Sequence, residues 1–215
     1  MTMRSEMLRS IGFAGGLMVM MTSALGQGAP KIDPPPSLTA AQASEMLQRG
    51  GYVVFIRHGA TEKDYADQVR ARMGDCSSQR ALSEVGWQQA KAIGAGFRNA
   101  GVPVHSVVSS QYCRAWQTAE IAFGRHEKTP ALNFEKAKDY TKAQSKVMRD
   151  NVSPLLGAVP PANSNTVLVG HDDPFEAATG YYPEPMGVMV IVKPDGKGGH
   201  ALVGRVPPEA WGVKN

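Results

Sequence analysis

The chain has 215 residues, of which 42% are hydrophobic, with a formal charge of +4. That is enough to bury one sizeable α/β core without metals or repeats. No run of five like charges and no basic helix face interleaved with aromatics occurs, so nucleic-acid binding and attachment to a membrane surface have no support.

The first 26 residues read as a secretory signal peptide. Arg4 and Arg9 precede an apolar run from Ile11 to Leu25, and Ala24-Leu25-Gly26 stands before the cut. At 15 residues the run falls short of the ~18 that span a bilayer, so cleavage is expected rather than a retained anchor. Cleavage removes Arg4, Arg9 and Glu6, leaves a formal charge of +3, and implies an exported, periplasmic protein with no stable membrane insertion. Residues 27–38 carry Pro30, Pro34, Pro35 and Pro36 without periodicity, as expected of an extended, mobile tether. One domain is expected over 39–215.

Thr39 with Gln42 forms a capping-box pattern ahead of a helix over 40–49 that ends at Gly50-Gly51. Tyr52-Val53-Val54-Phe55-Ile56 then runs apolar without alternation, the mark of a strand buried on both faces, and Arg57-His58-Gly59 follows at its C-terminal end. Ser83 is placed to cap a helix burying Trp87, Ala90, Ile93 and Phe97. A second strand over 104–108 leads through Ser109-Ser110-Gln111-Tyr112-Cys113-Arg114 into a helix that runs to Phe123 and stops at Gly124. Residues 141–157 read as helix, with Pro154 clouding the end.

A third strand over 166–169 ends in Gly170-His171 ahead of a short helix over 174–179. Runs over 188–192 and 201–206 flank a Pro-Asp-Gly-Lys-Gly-Gly turn as an antiparallel hairpin. This order predicts a three-layer α/β/α sandwich with a mainly parallel sheet and antiparallel edge strands.

Ligands of open α/β sheets bind beyond the C-terminal strand ends. Three buried strands deliver Arg57 and His58, Arg114, and His171 to that edge, an arrangement that suits a phosphate-like anion. Cys76 and Cys113 would persist after export as a disulfide worth about 4 kcal/mol in the chain-entropy model. Trp87, Trp116 and Trp211 read as packing residues, and surface or core positions suffice for His105, His126 and His200.

Four ordered blocks between residues 52 and 172 resemble the histidine phosphatase (phosphoglycerate mutase-like) superfamily. They are Phe55-Ile56-Arg57-His58-Gly59-Ala60-Thr61, the stretch 81–90, the stretch 109–119, and Val167-Leu168-Val169-Gly170-His171. The resemblance implies that His58 attacks phosphorus and forms a phosphohistidine, with Arg57, Arg114, His171 and Thr61 binding phosphoryl oxygens and no cofactor or metal required. Two residues compete as general acid. Asp172 follows His171, as the proton donor does in the acid phosphatase branch; Glu135 sits where the mutase-like branch carries its glutamate, in a poorer context. A small phosphorylated substrate is implied. The alternatives are a silent phosphate- or sugar-phosphate-binding module, and a phosphohistidine or anhydride phosphatase that works without an acid. A metal hydrolase is disfavoured because two arginines would repel a divalent cation.

Overall fold

The computed structural model describes residues 32–62 and 67–213. The expected signal peptide over 1–26 and the beginning of the Pro-rich segment lie outside the described residues.

In chain order the elements are α1 (Ala40–Gln48), β1 (Val53–Arg57), α2 (Asp67–Arg70), α3 (Glu84–Asn99), β2 (Val104–Ser110), α4 (Cys113–Phe123), β3 (Glu127–Thr129), α5 (Lys142–Gly157), β4 (Asn165–Gly170), α6 (Asp172–Thr179), β5 (Met189–Pro194) and β6 (His200–Val206). The six strands form one sheet in the order β3-β2-β4-β1-β5-β6. β1 to β4 pair in parallel, while β5 and β6 pair antiparallel. The expected hairpin therefore forms one side of the sheet. The opposite edge is β3, whose Glu-Lys-Thr sequence gave no strand signal.

Unbroken apolar strands are explained by what lies on each face. Val54 and Ile56 of β1 join Val167 and Val169 of β4 in a cluster with Leu47, Ile93, Phe97 and Ala119 from α1, α3 and α4. Val53, Phe55 and Leu168 point the other way, into Val152, Leu156 and Phe175 from α5 and α6. Each such side chain contributes about 1.5–3 kcal/mol when fully buried, so neither face tolerates polar alternation.

Three expectations need correction. Trp87 is 46% exposed. The buried stripe of α3 is instead Gly86, Gln89, Ala90, Ile93, Gly94 and Phe97. Its first turn lies directly on the loop after β1: a Cβ on Gly86 would come within 2.0 Å of Ala60 O, and one on Gly59 within 2.6 Å of Gly86 O. That contact fixes the helix's rotation and turns position 87 outward. Trp116 likewise stacks on His126 outside the core clusters, while Trp211 does pack against Phe97. Finally, residues 36–38 are not a free tether. Arg205 N donates to Pro36 O and Leu38 N to Arg205 O, both at 2.8 Å, laying this stretch along β6. Pro154 is accommodated inside α5, which continues to Gly157.

Candidate active site

Because β2, β4 and β1 are adjacent and parallel, their C-terminal ends open on one edge. Arg57 ends β1 opposite Gly170 of β4, and Ser109 of β2 lies opposite Val169. His58 N donates to Gly170 O at 3.0 Å, tying the two histidine-bearing ends together. Arg57, His58, Arg114 and His171 are all buried.

His58 is held at both ring nitrogens. Its Nδ1 lies 2.8 Å from Gly59 O, which only accepts, so Nδ1 bears the proton. Its Nε2 is then a lone pair, and it accepts from Arg114 Nε at 2.9 Å. Burial, with help from the Arg114 charge, holds the ring well below the usual histidine range, so it is neutral at physiological pH. The loop behind it is fixed by Gly59 N donating to Thr118 Oγ1 at 3.0 Å and Ala60 N to Gln89 Oε1 at 2.8 Å. The Arg114 guanidinium sits over the rings of Tyr112 and Phe134, 5.3 and 5.2 Å from their centroids.

The His171 ring meets Tyr112 and Phe134 edge-on and lies 5.2 Å from the His58 ring. Nε2 is 2.9 Å from Ser110 Oγ, and Nδ1 is buried without a partner among the described residues. Burial, then the charge of Arg114, again lowers its affinity for protons well below the usual range.

On the other flank, Arg57 donates from Nη1 to Pro183 O at 3.0 Å and from Nη2 to Asp172 Oδ2 at 2.5 Å; its Nε is buried without a partner among the described residues. Tyr182 donates its hydroxyl to the same Asp172 oxygen at 2.5 Å and places its ring 5.4 Å from the Arg57 guanidinium. Asp172 and Asp173 open α6. Asp173 accepts instead from Tyr140 Oη at 2.9 Å, and burial followed by repulsion from Asp172 pushes its carboxyl up to about 6.

The remaining predicted residues fall differently. The Thr61 hydroxyl points at Met186 Sδ, 3.8 Å away, and its backbone pairs with Leu82. Glu135 lines a cavity of about 460 Å³ with Met73, Asn133 and Asn151, and this cavity shares Tyr112 and Phe134 with the site. Cys76 and Cys113 are bridged, with S–S 2.04 Å and Cα–Cα 5.7 Å. Beside the bridge, Gln79 Oε1 accepts from Cys113 N at 2.8 Å, and Gln79 Nε2 donates to Arg72 O at 2.9 Å.

Sequence reasoning missed Arg80, Ser110, Tyr140 and Tyr182 as site residues. The Arg80 charge reaches both histidine rings. Its position beside Gln79, four residues after a bridged cysteine, was the available signal. Nothing local marks the tyrosines, which arrive from 31 residues before His171 and 11 after it.

Residues 53–138 match the family model for the histidine phosphatase superfamily, branch 1. No curated protein sequence matches the chain. Among solved structures, the protein histidine phosphatase SixA complexed with tungstate superposes with a TM-score of 0.52 at 18% identity, covering 73% of this chain and 97% of that one. A candidate alpha-ribazole-5'-P phosphatase from Escherichia coli str. K-12 substr. MG1655 gives 0.53 at 15% identity, covering 71% and 95%. At these identities the likeness concerns the fold.

Proposed function

We propose that the chain, whose residues 53–138 match the family model of the histidine phosphatase superfamily, branch 1, is an exported phosphatase hydrolysing phosphate monoesters through a phosphohistidine on His58. The observation that carries this reading is the locked tautomer of His58: Nδ1–H is anchored on Gly59 O, and a neutral Nε2 lone pair faces the Arg114 guanidinium. That lone pair attacks phosphorus, the bond to the ester oxygen breaks, and water later hydrolyses the N–P bond. Arg114 moves its donor from Nε2 to a phosphoryl oxygen as the attack begins, and Arg57 offers its unpartnered Nε–H to another.

An alkoxide leaving group needs a proton, and the Asp172/Asp173 pair beside His171 is its source in this reading. Asp172 stands next to His171, while Asp173 retains a proton to about pH 6. A second reading has one observation in its favour. Asp172 Oδ2 already accepts from Arg57 and Tyr182, as an ionised carboxylate does. A phosphohistidine or anhydride substrate, whose leaving group departs without a proton, would suit that arrangement.

Export is supported by the signal-like first 26 residues and by the Cys76–Cys113 bridge, since disulfides persist mainly in oxidising compartments. The test of the central claim is acid-labile, base-stable labelling. Protein quenched during turnover of a labelled phosphate ester should carry phosphate on the peptide containing His58. An active His58→Ala enzyme overturns the proposal.

A further inference from the structure

The hydrogen on the Ser110 hydroxyl can be located by elimination, and its location fixes what His171 presents to a ligand. Gln111 N donates to Asn133 Oδ1 at 3.0 Å, which identifies that atom as the amide oxygen, and Asn133 Nδ2 donates to Gln111 Oε1 at 2.9 Å. Ser110 Oγ lies 2.8 Å from the same Oδ1. Because an amide oxygen only accepts, the single hydroxyl proton is committed there. Tyr112 N donates to Oγ at 3.2 Å. The remaining neighbour, His171 Nε2 at 2.9 Å, must therefore donate to Oγ as well. His171 carries its proton on Nε2, and Nδ1 is a bare lone pair in a buried site.

Among the described residues the site thus holds two kinds of unpartnered buried atom: an N–H donor at Arg57 Nε and an acceptor at His171 Nδ1. A tetrahedral oxyanion with one protonated oxygen satisfies both. A proton-free one satisfies only the donor and sets an oxygen lone pair against a nitrogen lone pair, and an unmade buried polar contact costs about 1–3 kcal/mol.

We propose that His171 Nδ1 accepts the proton of the bound phosphoryl group, so that the site selects phosphate monoester monoanions and hydrogenphosphate over proton-free tetrahedral anions such as sulfate. This rests on the reading of the site as a phosphoryl site. The proton balance is simple. The phosphoryl O–H bonds to Nδ1; if the proton crosses from a monoester monoanion, the products are an imidazolium and the monoester dianion, and from hydrogenphosphate an imidazolium and the phosphate trianion, with the total charge unchanged in each case. Sulfate brings no proton, so its binding must draw one from solvent. The charged groups around the ring are Arg114, Arg57 and Arg80, with His58 opposite and the Asp172 carboxylate next in the chain. The three arginines and burial keep His171 neutral until a ligand arrives.

Calorimetric titration of the mature chain with sodium phosphate and with sodium sulfate tests this. Between about pH 7.5 and 9, sulfate affinity should fall about tenfold per pH unit with uptake of one proton, while hydrogenphosphate affinity stays nearly flat. His171→Gln should abolish the sulfate slope. A pH-independent sulfate affinity, or the same slope in His171→Gln, overturns the inference while leaving a phosphate site intact. Failure of phosphate to bind overturns the phosphatase reading and this inference together. Should the variant misfold, imidazole nitrogen NMR on the unmodified protein decides: sulfate must protonate His171 Nδ1, and a nitrogen that stays bare overturns the proposal.

Discussion

His58, Arg114 and His171 stand on strand ends and at a helix start, almost wholly buried, whereas Asp172, Asp173, Tyr140 and Tyr182 form a rim that keeps part of its surface in solvent. On the floor, one ring nitrogen of each histidine meets a neighbour whose role is fixed, Gly59 O for His58 and the Ser110 hydroxyl for His171, so each ring has one tautomer. On the rim, two carboxylates adjacent in the chain are divided by their partners. Asp172 takes Arg57 and Tyr182; Asp173 takes Tyr140 and is forced to hold its proton longer. Floor chemistry is therefore set by the sheet, and rim chemistry by which loop reaches which side chain.

The largest effect should come from the floor. Arg114→Ala removes the donor to His58 Nε2 and, in the proposed reaction, a phosphoryl contact, and kcat/KM should fall about 10³-fold, with Arg114→Lys failing to restore it because an ammonium lacks the planar fork. A loss under about tenfold in steady-state kinetics would break the distinction between floor and rim.

The next effect lies on the rim and depends on the leaving group. Asp172→Asn should lower turnover of alkyl phosphates about 10²-fold and of aryl phosphates far less, since a phenolate leaves with little help. Glu135→Gln should change neither, because Glu135 lines the neighbouring cavity. An equal loss on both ester types would make Asp172 the anchor of Arg57 rather than a proton source. The reverse pattern, with Glu135→Gln slowing alkyl esters, would return the acid to the mutase-like position.

A smaller effect concerns pH. The carboxyl of Asp173 is raised by burial, so the protonated form persists to about 6 in the folded protein. Alkyl phosphate turnover should fall as pH rises through about 6, and Asp173→Asn should remove that limb. The same sign applies to stability, which is greater on the acid side of this ionisation and diminishes as pH rises through it. The histidines work in the opposite sense. Their lowered values mean that acid protonates them first in the unfolded chain, so their contribution is lost as pH falls below the ordinary histidine range.

Least affected should be the activity of the chain without its bridge. Cys76→Ser with Cys113→Ser should cost about 2–4 kcal/mol of unfolding free energy, read by denaturant titration, while kcat/KM drops only a few-fold. A loss as large as that of Arg114→Ala would show that the bridge, through Gln79 and the Cys113 N–H, positions the guanidinium as well as stabilising the fold.

From the sequence alone came β1 and β4 as buried strands, the place of β2, the polar residues that follow the three strands, the hairpin and the cysteine pairing, although β2 is buried over 104–108 only at Val107 and exposes His105. These are legible because they rest on local facts: apolar runs too continuous for a half-exposed strand, capping residues such as Thr39 and Ser83, and arginine–histidine groups placed where such strands stop. What only the tertiary structure decided depends on segments distant in the chain meeting. The rotation of α3 that exposes Trp87 follows from Gly59 touching Gly86. The arrival of Arg80 follows from a loop tied to α4 by the bridge and by Gln79. The division of labour between Asp172 and Asp173 follows from tyrosines that approach from opposite directions along the chain. Strand propensity is a property of a few neighbouring residues, but a proton's residence depends on every charge and every low-dielectric surface within several ångströms, and those are assembled only when the chain has folded.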